Sequence, residues 1–137
     1  MDETIIQMRS EIAEHVGKGD YTAAADLYEK LVARDPNQCL PRRNMITVAN
    51  QLMTLGRYPQ AAAAYEKHLK AYPKDSDVVQ IKFLLGIIYA KYLQQYEAAE
   101  GFLRECIDRL TDGEQKKQAD QWLQTVLSAL GRGPSTT

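Results

Sequence analysis

Four kinds of residue in this chain are of a type that does chemistry: closely spaced carboxylates, two histidines, two cysteines and a glycine-flanked lysine. Glu11 with Glu14, and Glu97 with Glu100, stand three positions apart, which on a helix makes them surface neighbours. General acid–base work needs a further polar group and a closed pocket around such a pair, and the flanking residues suggest neither. The carboxylates therefore read as solvated faces. His15 and His68 are distant in sequence and read as structural or solvated. Cys39 and Cys106 are too few and too far apart for a disulfide framework or a metal-ligand set, so both are expected to be free, structural thiols. Gly17-Lys18-Gly19 lacks the Gly-x4-Gly-Lys-Ser/Thr spacing of a phosphate loop and follows no strand pattern. It reads as a turn. No catalytic, cofactor-binding or metal site is expected, and the chain reads as a non-enzyme.

The elements that carry these residues repeat. The segment from Gly19 to Pro36, with Tyr21, Ala24, Tyr28 and Leu31 at its apolar positions, returns thirty-seven residues later from Gly56 to Pro73 as Tyr58, Ala61, Tyr65 and His68. A third copy sets Tyr96, Ala99, Leu103 and Ile107 thirty-eight residues beyond Tyr58, Ala61, Tyr65 and Leu69. Periods of this size belong to stacked helical hairpins, because one hairpin cannot bury its own apolar stripe. Two helices per repeat are expected, over residues 3–36, 41–73 and 76–111, with Gly17-Lys18-Gly19 and Gly56 closing first helices and Asp35-Pro36 stopping a second. Asp20 is expected to cap the second helix, Pro41 to start the third, and Asp75 or Asp77 to cap the fifth. Thr111 or Asp112 followed by Glu114 or Gln115 makes a capping box for a seventh helix, 112–130, and Gly131 marks its end. Tyr21, Tyr58 and Tyr96 share one repeat position, and Tyr28 and Tyr65 another; both sets are expected in the core.

Composition narrows the function classes. The chain has 137 residues, 45% of them hydrophobic, with 17 basic and 18 acidic side chains and a net charge of -1. That balance argues against a dedicated nucleic-acid or anionic-membrane binder. Residues 37–96 are locally basic, with Arg42, Arg43, Arg57, Lys67, Lys70 and Lys74 spread over both helices of the middle repeat and its turns. The apolar run Val78–Leu93 is too short for a bilayer span and reads as a core helix. The start of the sequence lacks the charged and apolar runs of a secretory signal, so a cytoplasmic location is expected. One domain is expected over 1–131, with a flexible tail at 132–137.

The middle copy, Asn44 to Leu52 followed by Leu55-Gly56-Arg57-Tyr58-Pro59-Gln60-Ala61, resembles a tetratricopeptide repeat. The third copy is similar, through Leu85-Gly86, Tyr89 and Tyr96-Glu97-Ala98-Ala99, while the first matches well only from Gly19 to Pro36. The spacing of 37 and 38 residues exceeds the family's ~34; the extra residues are expected to lengthen the turn near Asn37–Leu40 or to add about a helical turn. The resemblance implies an all-α, right-handed α-solenoid of three antiparallel helix pairs with a C-terminal solvating helix. It also implies a concave groove lined by first helices, with Arg9, Arg43, Ile46, Asn50, Met53, Phe83, Leu84 and Ile87 as partner-binding positions. Ile6, Ala13 and Gln80 fall on the same implied lining. Ala13, Thr47, Gln80 and Leu84 stand where the family's chaperone-carboxylate clamp has polar or basic residues, so that clamp is not expected. The implied function is a noncatalytic adaptor that takes a peptide or amphipathic helix of a protein partner, apolar with some acidic character. The alternative is a self-associating scaffold, a homodimer through the groove or the terminal helix. Phe83, Leu84 and Ile87 need cover from a partner helix, a second copy, or the seventh helix folding back.

Overall fold

The computed structural model describes residues 2–132; of the expected tail, positions 133–137 lie outside the described residues. The described chain is all-helical: α1 Glu3–Lys18, α2 Tyr21–Arg34, α3 Arg42–Thr54, α4 Tyr58–Ala71, α5 Val78–Ile87, α6 Tyr96–Cys106 and α7 Gly113–Ala129. A π-helical turn, Ile88–Tyr92, continues α5 directly. Where one domain is expected over 1–131, the chain gathers into two compact units, Met1–Tyr72 and Pro73–Thr137.

In the first unit α1 packs on α2, α3 on α4, and α2 on α3. The two pairs turn in the same way. Gly19 and Gly56 sit at equivalent repeat positions with φ of 80° and 76°, in the left-handed region. Only glycine takes that conformation without steric cost, and it lets the next amide reach back to the helix end. Asp20 N–H accordingly donates to His15 O at 2.8 Å, and Arg57 N–H to Leu52 O at 2.9 Å. The expected side-chain cap from Asp20 does not form; the glycine turn fixes the corner instead. Pro41 precedes the first helical residue of α3 rather than opening it. The core holds Ile12, Leu31, Met45, Val48, Leu52 and Tyr65, each at most 1% exposed, and every such aliphatic side chain contributes about 1.5–3 kcal/mol by leaving water. Ala24 and Ala61 are also fully buried, where small size lets the helices approach. The expectation for the repeated tyrosines divides: Tyr28 and Tyr65 are core, but Tyr21 is 44% exposed and Tyr58 and Tyr96 are half-buried. The latter three open their helices, where the first turn reaches past the packed face.

The extra residues of the first period form a non-helical segment at 35–41. Asp35 holds its start, accepting from the Asn37 amide at 3.0 Å and from Gln38 Nε2 at 3.1 Å. These two bonds keep the Asp35 carboxyl below its usual range, the Gln38 amide contributing most. Leu40 plugs into the core at 1% exposure. Its carbonyl accepts from Tyr72 Oη at 2.7 Å.

In the second unit α5 packs on α6, and α7 packs on both. A Cβ built at Gly86 meets Leu103 Cδ2 at 2.6 Å, so glycine is what lets α5 lie this close to α6. The expected continuous core helix changes character after Ile87: Leu93 N–H reaches Ile88 O at 3.1 Å in the wider π pattern, which takes up an extra residue within the turn. The chain then leaves through Gln94, at φ 50°. Asp112 caps α7 as expected, its Oδ1 accepting from Gln115 N–H at 2.9 Å. At the other end Arg132 donates to Glu100 Oε1 at 2.6 Å. Arg104 and Arg132 together hold the Glu100 carboxyl below its usual range, with the Arg104 hydrogen bond the larger cause.

Candidate functional site

The residues implied as partner-binding divide between the two units. On α3, Arg43, Ile46, Asn50 and Met53 recur at three- and four-residue steps and so share one stripe. Arg43 and Asn50 are exposed, while Ile46 and Met53 are half-buried. Buried Tyr65 organises the far end of this stripe from α4. Its hydroxyl donates to Asn50 Oδ1 and lies 4.0 Å from Met53 Sδ. Desolvation raises the Tyr65 phenol well above its usual value, so it remains a donor. On α1, Ile6, Arg9 and Ala13 form the corresponding stripe by the same spacing, and Ile6 is 48% exposed, the largest value for any large apolar side chain among the described residues.

Arg9 has a role that spacing did not reveal. Its Nη1 donates to Gln38 Oε1 at 3.1 Å and to Cys39 O at 2.7 Å, tying α1 to the segment that precedes α3. It is a structural clamp on the long turn. Arg57 is likewise committed: its Nη1 lies 2.6 Å from both Asp26 Oδ1 and Glu29 Oε2, and those hydrogen bonds, Asp26 first, raise its pKa. The basic middle of the sequence is thus partly neutralised by α2.

Phe83, expected to face a groove, is 4% exposed and belongs to one buried cluster with Leu103, Cys106, Ala119, Leu123, Val126 and Leu127. Leu84 and Ile87 are half-buried and pack against the same cluster. The cover for Phe83 comes from the chain's own α6 and α7. This corrects its assignment as a partner-binding residue: an apolar helix face cannot be read as an open groove when a later helix supplies the complementary stripe.

A feature that was not singled out lies on the second helices of the first unit. A cavity of about 410 Å³ is lined by Tyr28, Glu29, Val32, Ala33, Pro36, Gln60, Ala63, Ala64 and Lys67. It opens because α2 packs chiefly on α1 and α4 chiefly on α3, and the two hardly touch each other, and the alanines at 33 and 63 are too short to close the gap. The signal was present in the two repeats, where the exposed positions of these helices carry alanine, but alanine spacing alone does not distinguish a helix contact from a cleft.

The described residues contain no group of three or more His, Cys, Asp or Glu positioned to hold a metal ion. No helix among them is long and apolar enough to cross a membrane. In comparisons with known proteins, residues 49–115 match the family model described as tetratricopeptide repeat. No curated protein matches the chain.

Proposed function

Since residues 49–115 match the tetratricopeptide-repeat family model, we propose that the chain is a noncatalytic protein-binding module whose first unit receives an amphipathic segment of a protein partner on its first-helix face. Repeats of this family generally mediate protein–protein interaction. The observation that carries the finer reading is the exposure of Ile6 at 48%, with Ile46, Met53, Arg43 and Asn50 on the corresponding stripe of α3. A half-exposed isoleucine on the α1 stripe and half-buried apolar groups on the α3 stripe offer apolar contact, and Arg43 with Asn50 adds polar recognition on α3. An apolar helix face with some acidic residues fits this combination. Apolar contact sets most of the affinity in such a complex, and the charged margin sets rate and specificity.

The test uses two changes at exposed positions, Ile6→Asp and Arg43→Glu. Proteins retained by the immobilised wild-type chain are identified by mass spectrometry, purified, and measured against both chains. The expected result is unchanged helicity by circular dichroism and affinity lower by tenfold or more, with wild-type binding weakening as salt rises. Equal affinity of both chains would remove the first-helix face from the interface. Loss of a wild-type dimer in light scattering, with no other partner affected, would assign the face to self-association.

A further inference from the structure

One polar side chain on the first-helix face is held from behind by the core. Asn50 is exposed on α3, and Tyr65, 1% exposed on α4, donates its hydroxyl hydrogen to Asn50 Oδ1. Met53 Sδ, 4.0 Å from the same hydroxyl, is the weaker acceptor of the two. A carboxamide carries an acceptor on one arm and two donors on the other. With Oδ1 turned to the buried phenol, the Nδ2 arm is directed away from it, and Nδ2 donates to no group among the described residues. An exposed asparagine without such a bond rotates and offers either arm. Asn50 offers donors. The charge around it is positive: α3 carries Arg42 and Arg43 and no acidic residue. The stripe on α1 adds Arg9, whose partners, Gln38 Oε1 and the Cys39 carbonyl, are neutral. Asp2, four residues before Ile6 on that stripe, is paired with Arg34 at 2.9 Å.

We infer that Tyr65 is a positioning residue for partner recognition, fixing Asn50 as a donor-only group that takes the carboxylate of an acidic side chain in the bound segment. This rests on the first-helix face being the docking surface, and it adds which group on that face selects, and for what. A carboxylate accepts from the Nδ2 hydrogens in a charge-assisted bond, whereas an ammonium or an amide N–H brought to the same place is left without an acceptor. That mismatch is a source of discrimination. The Tyr65 hydroxyl does not touch the partner. It acts by removing in advance the rotational freedom that Asn50 would otherwise lose on binding.

The experiment is nuclear magnetic resonance on the full chain, first without ligand. Nitrogen relaxation of the Asn50 carboxamide should give an order parameter near the ~0.85 of rigid backbone, falling below about 0.6 in Tyr65→Phe. A freely rotating amide in the wild-type chain overturns the inference before any ligand is added. The chain is then titrated with two mixtures of amidated dodecapeptides in randomised order: one of four leucines, two alanines, four serines and two glutamates, the other with methionine in place of glutamate. The expected result is that the Ile46, Asn50 and Met53 amides shift with both mixtures. Asn50→Ala should weaken the acidic mixture about tenfold, the scale of losing a hydrogen bond to a charged group, and Tyr65→Phe about threefold, since the donor survives and only its orientation is lost. Tyr65→Phe should leave the methionine mixture unchanged and should cost nothing further in the Asn50→Ala background, the signature of two residues acting as one. Equal weakening of both mixtures by Tyr65→Phe, or the same loss with Asn50 already removed, makes the hydroxyl part of the fold alone and overturns the inference while sparing the proposed function. No effect of Tyr65→Phe on the acidic mixture does the same. Absence of shifts on this face with either mixture overturns the proposed function and the inference with it.

Discussion

Cys39 and Cys106 share a residue type and differ in surroundings, and those surroundings set their reactivity. Cys106 is fully buried, and burial pushes its thiol up to about 11. Cys39 is half-buried; desolvation raises it, against the opposing pull of Lys67, the Tyr72 hydroxyl and Arg9. Reaction with a disulfide reagent goes through the thiolate and needs access. At pH 8 the native chain should therefore titrate one thiol, more slowly than free cysteine, and release the second only in denaturant. Cys39→Ser should leave no reactive thiol in the folded chain; two thiols reacting equally under native conditions would contradict the burial of Cys106. The linkage has a definite sign. A folded value of about 11 against 9.0 for the unconstrained thiol means stability is complete below pH 9 and declines as pH rises toward 11. The sequence showed that these cysteines were isolated, yet it did not separate their environments, because both lie in mixed polar and apolar stretches. Arg9 is a similar case. Its spacing put it on the right helix stripe, but its commitment to Gln38 and Cys39 depends on a turn twenty-nine residues away.

The helices were largely readable because their boundaries rest on local chemistry. Glycine at 19 and 56, the Asp35-Pro36 stop and the Asp112 cap each act within a few residues of a helix end, where sequence carries the full cause. The π turn at Ile88–Tyr92 was not readable. An apolar run such as Ile87-Ile88-Tyr89-Ala90 suits either helical pattern, and its local widening depends on how the segment joins α6. The same limit applies to Gly86, whose importance comes from Leu103 across the helix contact. Gly86→Ala gains helix propensity of roughly 1 kcal/mol, but it drives a Cβ to within 2.6 Å of a leucine that is itself fully buried. Overpacking of this kind costs about 1–3 kcal/mol, so Gly86→Ala should lower the thermal midpoint. Gly101→Ala, in α6 with nothing within 4 Å, should raise it. The pair separates packing from propensity: two increases would mean that the α5–α6 contact yields easily to an added methyl group.

At the scale of the molecule, the repeat pattern led to the all-α class and to paired helices, but the division at Tyr72 and Pro73 is a property of long-range contacts that the pattern did not contain. The seventh helix shows how much such contacts decide. From sequence, α7 was an end cap with one apolar stripe; in the folded chain its Leu123, Val126 and Leu127 join Phe83 and Leu103 in one core. Three aliphatic side chains of this kind contribute about 5–9 kcal/mol when buried, the same order as the ~5–15 kcal/mol net stability of a whole domain. Removing residues 112–137 should therefore do more than fray an end. The truncated chain should lose soluble expression, or the second unit should lose its cooperative melting transition, with Phe83 and Leu103 left facing water. Asp112→Ala is the control, because it removes only the cap to Gln115 and should cost about 1 kcal/mol while leaving a folded protein. Differential scanning calorimetry of the three chains gives the ordering, with wild type highest, Asp112→Ala slightly lower and the truncation lowest or insoluble. A truncated monomer that melts with the same midpoint and enthalpy as wild type would show that α7 is an addition to the core, and the cover of Phe83 would then have to come from α5 and α6 alone.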